Sequence, residues 1–129
     1  MRDRGIDLIA YLDAEAAPLA AFPIQLKAAT EATFSLDVKY ERIANLVLAY
    51  MWHVGNPSRT VTFALTYGEA LAVLEQMGHT KTESWTNQGR WVVTQPSERV
   101  RDLLEPYRMI PESWPRKFRA LAGPRSAAA

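Results

Sequence analysis

Thr66-Tyr67-Gly68-Glu69-Ala70-Leu71-Ala72-Val73-Leu74-Glu75-Gln76-Met77-Gly78, continued by His79-Thr80-Lys81-Thr82-Glu83-Ser84-Trp85-Thr86-Asn87-Gln88-Gly89-Arg90-Trp91-Val92-Val93, is the stretch from which a fold is argued. Thr66 with Glu69 three residues on is a capping box, in which hydroxyl and carboxylate each satisfy a backbone N–H orphaned at a helix start. Ala70, Leu71, Val73, Leu74 and Met77 recur at intervals of three and four, so one side of that helix is apolar. Gly78 supplies the left-handed residue that ends it. Thr80 or Thr82 caps a short second helix over 81–88, with Trp85 as its one large apolar residue and Gly89 as its stop. Residues 90–94 then read as a strand. Two helices joined by a turn containing Gly78 fit a helix-turn-helix. The same residues also allow a hairpin, 82–86 against 90–94, turning over Asn87-Gln88-Gly89.

At these positions the chain resembles the winged helix-turn-helix of excisionases and mercury-resistance-type regulators. Those proteins open the first helix with Thr-x-x-Glu-Ala, turn at a Gly followed by one residue and Ser/Thr, and place Gly-x-Trp/Tyr at the next strand. The matching residues are Thr66, Glu69 and Ala70, then Gly78 and Thr80, then Gly89 and Trp91. The likeness covers roughly a fifth of the chain. The first helix is about one turn longer than that pattern, His79 stands where an apolar residue is usual, and Glu83 offsets Lys81. The resemblance implies an α+β, mainly helical, winged-helix-like domain with extra N- and C-terminal helices. Its implied partner is double-stranded DNA, bound by a small transcriptional regulator or mobile-element accessory factor. Lys81, Thr82, Ser84, Asn87 and Gln88 would face the major groove, and Arg90, Arg99 and Arg101 would meet phosphates. The alternative is a protein-interaction or accessory module on the same fold, with its basic C-terminal segment docked on a protein partner. A nuclease-associated or other small enzyme is a third reading, without a motif of its own.

Outward from this stretch, Val61, Phe63 and Leu65 alternate on a strand that runs directly into Thr66. Further upstream, Asp37 is placed to cap a helix predicted over 38–53. Tyr40, Ile43, Ala44, Val47, Leu48, Met51 and Val54 follow the helical period, which makes this the expected central core helix. Ile43, Val47 and Met51 are expected against Leu71, Leu74 and Leu103. Residues 6–16 and 24–33 read as shorter helices, the second opened by Pro23 and carrying Lys27 and Glu31 as an exposed pair. Downstream, Ser97 caps a helix that buries Val100, Leu103 and Leu104 and stops at Pro106. Residues 107–113 read as a connector. Pro115 opens a last helix with Phe118 and Leu121 inward and Arg116, Lys117 and Arg119 around it. The expected organisation is one domain, 1–122. It comprises a helical extension at 6–33 that is a candidate homodimer contact, a winged-helix-like core at 37–106, a basic helix at 112–122, and a flexible tail at 123–129.

Composition bounds the function classes. At 129 residues one hydrophobic core suffices. The absence of cysteine excludes disulfides, Cys-ligated zinc and thiol catalysis. No apolar run approaches the ~20 residues that span a bilayer, so a cytoplasmic protein without membrane contact is expected. The net charge of +1 hides an asymmetry, six Lys/Arg against nine Asp/Glu up to residue 79 and nine against five from residue 80 on. His53 and His79, the only histidines, read as a helix-end and a turn residue. Asp37-Val38-Lys39 has the carboxylate-x-lysine spacing of metal-dependent nucleases, but it sits where a helix cap is expected and lacks a second acid. No phosphate loop or nucleophile elbow is present. The sequence is read as non-enzymatic, with no catalytic residue, no metal and no cofactor.

Overall fold

Residues 47–52, Val-Leu-Ala-Tyr-Met-Trp, form a strand covered on both faces, and the fold is laid around it. Such a strand reads as a continuous apolar run and satisfies helical and strand periods alike. Backbone geometry upstream decides between them. Asp37 does act as a cap, its Oδ1 accepting the Lys39 N–H at 3.0 Å, but it caps only a 3-10 turn over Val38–Arg42. Asn45 then sits at φ 62°, a left-handed conformation that no helix interior accommodates. The helix expected over 38–53 is thus a short turn followed by a strand.

The structure, a computed structural model, describes residues 7–12 and 20–122. Its elements are β1 (Leu8–Leu12), β2 (Ala20–Ala28), β3 (Thr33–Asp37), β4 (Val47–Trp52), β5 (Val61–Thr66), α1 (Tyr67–Gln76), α2 (Glu83–Gln88), β6 (Arg90–Thr94), α3 (Glu98–Leu104), β7 (Arg108–Met109) and α4 (Ser113–Ala122). Five strands make one mixed sheet in the order β1-β2-β4-β5-β7, with β2 and β4 parallel and the other neighbours antiparallel. The chain is therefore α+β but built on a sheet, and the mainly helical, winged-helix-like expectation is overturned.

The expected N-terminal helices are strands as well. β1 replaces the described part of the 6–16 helix and β2 the 24–28 part of the other. Phe22, Ile24 and Leu26 alternate toward one face, which Pro23 obscures because it also suits a helix start. Pro23 is tolerated inside β2 because β4 pairs only from Ile24 onward, leaving Pro23 with β1 as its single neighbour. Lys27 does not pair with Glu31; its Nζ donates to the Tyr40 hydroxyl at 2.6 Å.

Two layers cover the sheet. On one face Leu48, Tyr50, Trp52, Phe63 and Leu65 pack with Phe34 and Leu36 of β3, Ala70, Val73 and Leu74 of α1, and Val100 and Leu104 of α3. On the other face Phe22, Ile24, Val47, Ala49 and Ala64 receive Phe118 of α4. Val47 is thus buried away from Leu71, Leu74 and Leu103, on the face opposite to the one expected. α4 is a structural helix: the Phe118 ring lies 5.1 Å from that of Phe22, and Lys117 Nζ donates to Glu69 Oε1 at 2.8 Å. The same carboxylate oxygen closes the capping box of α1 by accepting the Thr66 N–H at 2.8 Å. The 123–129 tail lies outside the described residues.

From Thr66 to Thr94 the local order follows the sequence, but the partners are different. Gly78 is left-handed at φ 76°, and Trp85 of α2 packs partly buried on the first core layer, so the hairpin alternative for 82–94 does not form. No wing forms either, since β6 crosses back to pair with β3, from Thr33↔Thr94 to Asp37↔Arg90. The Ala32 carbonyl accepts the Gln95 N–H and the Val38 N–H donates to the Gly89 carbonyl, so the even-numbered residues of β3 face β6 across the ladder. The odd-numbered carbonyls face away, and two of them meet the main sheet. Tyr50 Oη–H donates to the Ser35 carbonyl and Trp52 Nε1–H to the Thr33 carbonyl, each at 2.6 Å. Donors two apart on β4 thus reach acceptors two apart on β3, as the period of a strand requires.

Candidate functional site

The residues expected to contact DNA come from several elements: the 3-10 turn His79–Lys81, α2, β6 and α3. Thr82 caps α2, its hydroxyl 2.7 Å from the His79 carbonyl and 3.3 Å from the Trp85 N–H. Asn87 is exposed and its amide donates to Glu83 Oε1 at 3.4 Å; Lys81 and Gln88 are exposed, and Ser84 lies in α2 between them. Arg90 forms an ion pair with Asp37 at 3.5 Å across the β3–β6 pair. Arg99 donates to the Gln76 carbonyl at the end of α1, 3.3 Å away. Arg101 belongs to a different place. Its Nε–H donates to the Pro96 carbonyl at 3.0 Å, and its guanidinium carbon lies 5.4 Å from the centre of the Trp52 ring.

That ring is the floor of a cleft of about 360 Å³ lined by Trp52, His53, Arg59, Val61, Phe63, Arg101, Glu105 and Arg108. The floor is rigid for a chemical reason. Trp52 and Phe63 are 2% and 3% exposed with ring centres 4.8 Å apart, and the indole N–H is committed to Thr33, so the tryptophan presents only its π-face outward. A guanidinium over that face gains a cation–π attraction. With Nε committed to Pro96, the free donors of Arg101 are its two terminal nitrogens.

A self-bonded turn carries the second part of the lining. His53 leaves β4 in the left-handed conformation at φ 59°, which histidine tolerates better than most residues. The Asn56 N–H donates to the His53 carbonyl at 3.1 Å and the Arg59 N–H to the Asn56 carbonyl at 2.9 Å. The Thr60 hydroxyl lies 2.9 Å from both carbonyls and shares its one proton between them. Arg59 is thereby set on the cleft by its backbone, while its side chain pairs with no carboxylate among the described residues. The last part of the lining is the 3-10 turn Glu105–Tyr107 after α3, where Arg108 and Glu105 approach to 3.6 Å. Glu105 thus pairs forward with Arg108, although its spacing from Arg101 is that of a helical ion pair.

Three arginines against one glutamate give the cleft a formal charge of +2 with His53 neutral. Arg108 is balanced by Glu105, so the surplus belongs to Arg59 and Arg101. Unpaired guanidiniums around a concave apolar floor attract oxoanions, since each presents a planar fork of donors that matches carboxylate or phosphate oxygens. Sequence reasoning found Arg101 alone of this set. Arg59 and Arg108 gave no signal and His53 reads only as a helix-end residue, because β4, the following turn, α3 and β7 meet only once the sheet is assembled.

The other positions singled out by the sequence have structural roles. His79 stacks on Trp91 at 4.4 Å, and Asp37 is a cap and an ion-pair partner of Arg90. Among the described residues no three His, Asp or Glu side chains gather as a metal site, and no helix is long and apolar enough to cross a membrane. Compared with protein-family models, curated proteins and solved structures, the chain matches none.

Proposed function

We propose that this protein is a binding module that recognises an oxoanion on its partner through the cleft between the β4–β5 turn and α3. The observation that carries the reading is the pair of unpaired guanidiniums, Arg59 and Arg101, set over the buried Trp52–Phe63 floor. An open cleft of this size accepts the end group of a larger molecule. The test is a titration with sulfate followed through the side-chain Nε–H signals of the arginines. Arg59 and Arg101 should shift together and saturably, and Arg101→Met should abolish the response. If both signals stay in place up to concentrations that perturb exposed arginines such as Arg116, the cleft binds no anion and the reading fails.

A second reading, DNA contact through α2, is favoured by the exposure of Asn87 and Gln88 on that helix and of Lys81 in the 3-10 turn His79–Lys81 before it. It is weakened by Glu83, which cancels the charge of Lys81, because affinity for a duplex rests on released counterions. Duplex binding that falls steeply with salt, and that drops with Lys81→Ala but not with Arg59→Ala, would favour this reading over the cleft.

A further inference from the structure

We infer that the group the cleft selects is an isolated phosphate monoester in its dianionic form, an inference that rests on the cleft reading above. The first argument is charge. Arg108 is already engaged with Glu105 at 3.6 Å, so the two positive charges left over are those of Arg59 and Arg101. A carboxylate or a phosphodiester brings one negative charge and leaves one guanidinium unmatched. A phosphate monoester brings a charge of about −1.5 to −2 near neutral pH and three terminal oxygens, enough to meet two forks of donors.

The second argument is placement. The two arginines come from different elements, Arg59 from the hydrogen-bonded turn after β4 and Arg101 from α3, so a single group held between them is gripped from two directions. Arg101 is pre-oriented by the Pro96 carbonyl and the Trp52 ring and presents its terminal nitrogens. Glu105 supplies the third argument. It lies in the same lining paired with Arg108, so a second phosphate in a polyphosphate chain would meet a pair without net charge. One terminal phosphate takes up the whole surplus.

The test compares three probes that share a phenyl ring on the full chain at about pH 8, well above the second pKa of a phosphate monoester near 6. Phenyl phosphate is the dianion, methyl phenyl phosphate the monoanionic diester and benzoate the carboxylate, each followed through the Arg59 and Arg101 Nε–H signals. Phenyl phosphate should bind roughly tenfold tighter than either monoanion, as one extra charge contact near a protein surface provides. Arg59→Met, in an exposed turn, should reduce that preference to about twofold. Equal binding of all three overturns the inference and leaves the cleft reading standing; no binding of any overturns both. Adenosine monophosphate and a blocked phosphoserine serve as two further arms. Tighter binding of either supports the inference and identifies the carrier, and binding of both no tighter than benzoate overturns it.

Discussion

Replacing Tyr50 by Phe tests whether the small sheet is held to the large one by side-chain donors. The ring is 1% exposed, and the substitution keeps its contact with Phe34, whose ring centre lies 4.8 Å away. What is lost is the 2.6 Å hydrogen bond to the Ser35 carbonyl. A net hydrogen bond contributes about 0.5–1.5 kcal/mol, and a fully buried acceptor left without a donor costs about 1–3 kcal/mol. Ser35 is only half-buried, so water partly replaces the lost donor and the expected cost is about 1–2 kcal/mol. Urea unfolding should show a lower midpoint at an unchanged slope, as for a loss of stability without a change in exposed surface. Hydrogen exchange should speed up at the Phe34 and Leu36 amides, which lie on the ladder with β6. Combining Tyr50→Phe with Trp52→Phe should give a coupling of about 0.5 kcal/mol or more, because both donors hold the same strand. A loss below about 0.5 kcal/mol with unaltered exchange in β3 would refute the reasoning, since that is the range of an ordinary surface substitution.

Phe118→Ala should destabilise by about 3–5 kcal/mol, as for other buried phenylalanines, and a midpoint shift equivalent to less than about 1 kcal/mol would mean that α4 does not close the sheet. Gly89→Ala should lower the melting temperature more than Gly78→Ala. Both glycines are left-handed, at φ 66° and 76°, but a Cβ at Gly89 would come 2.5 Å from Val38 Cγ1 whereas one at Gly78 meets nothing within 4 Å. Equal shifts would remove the steric part of that argument. Stability should fall in alkali. Burial raises the phenols of Tyr50, Tyr67 and Tyr107 above their ordinary value, with the negative charges of Glu41 and Asp37 adding to the effect at Tyr67 and that of Glu69 at Tyr107. A group whose pKa is raised by folding contributes fully below its unfolded pKa, about 10 for tyrosine, and loses that contribution as pH rises toward the folded value. Phenolate absorbance should therefore show Tyr50 ionising together with unfolding; ionisation of all five tyrosines before unfolding would contradict its burial.

The half of the chain after residue 60 was legible because its signals are local. The Thr66–Glu69 box, Gly78, Gly89 and Ser97 each fix a boundary through bonds made within a few residues. β7 escaped notice, since two residues between prolines carry no periodicity. The first half was misread where burial on two faces erased the alternation that marks a strand. In β4 every residue but Met51 is buried, so the sequence fitted a helix equally well. What rules the helix out is the left-handed Asn45 and the pairing with β2 and β5, of which only the first is local and neither has a sequence mark. In β2, Pro23 and the Lys27–Glu31 spacing imitated a helix, while the strand depends on where β4 begins. The cleft was illegible for the same reason: its arginines stand at 59, 101 and 108, and only the sheet brings them together.

The hydrogen bonds from Tyr50 and Trp52 also bear on how the protein behaves at high concentration. An outer strand normally offers a row of bare carbonyls on which a foreign strand can add, the first step toward aggregation. On β3 the Thr33 and Ser35 carbonyls are occupied from beneath by aromatic donors, so an intruding strand would first have to dislodge two buried rings. β1 has no such guard among the described residues. Among the described strands it pairs with β2 alone, and it contains no charge or proline and leaves Leu8 and Ile9 55% and 52% exposed. Self-assembly of the folded chain should therefore begin at β1, and a lysine at position 9 is the change that should suppress it.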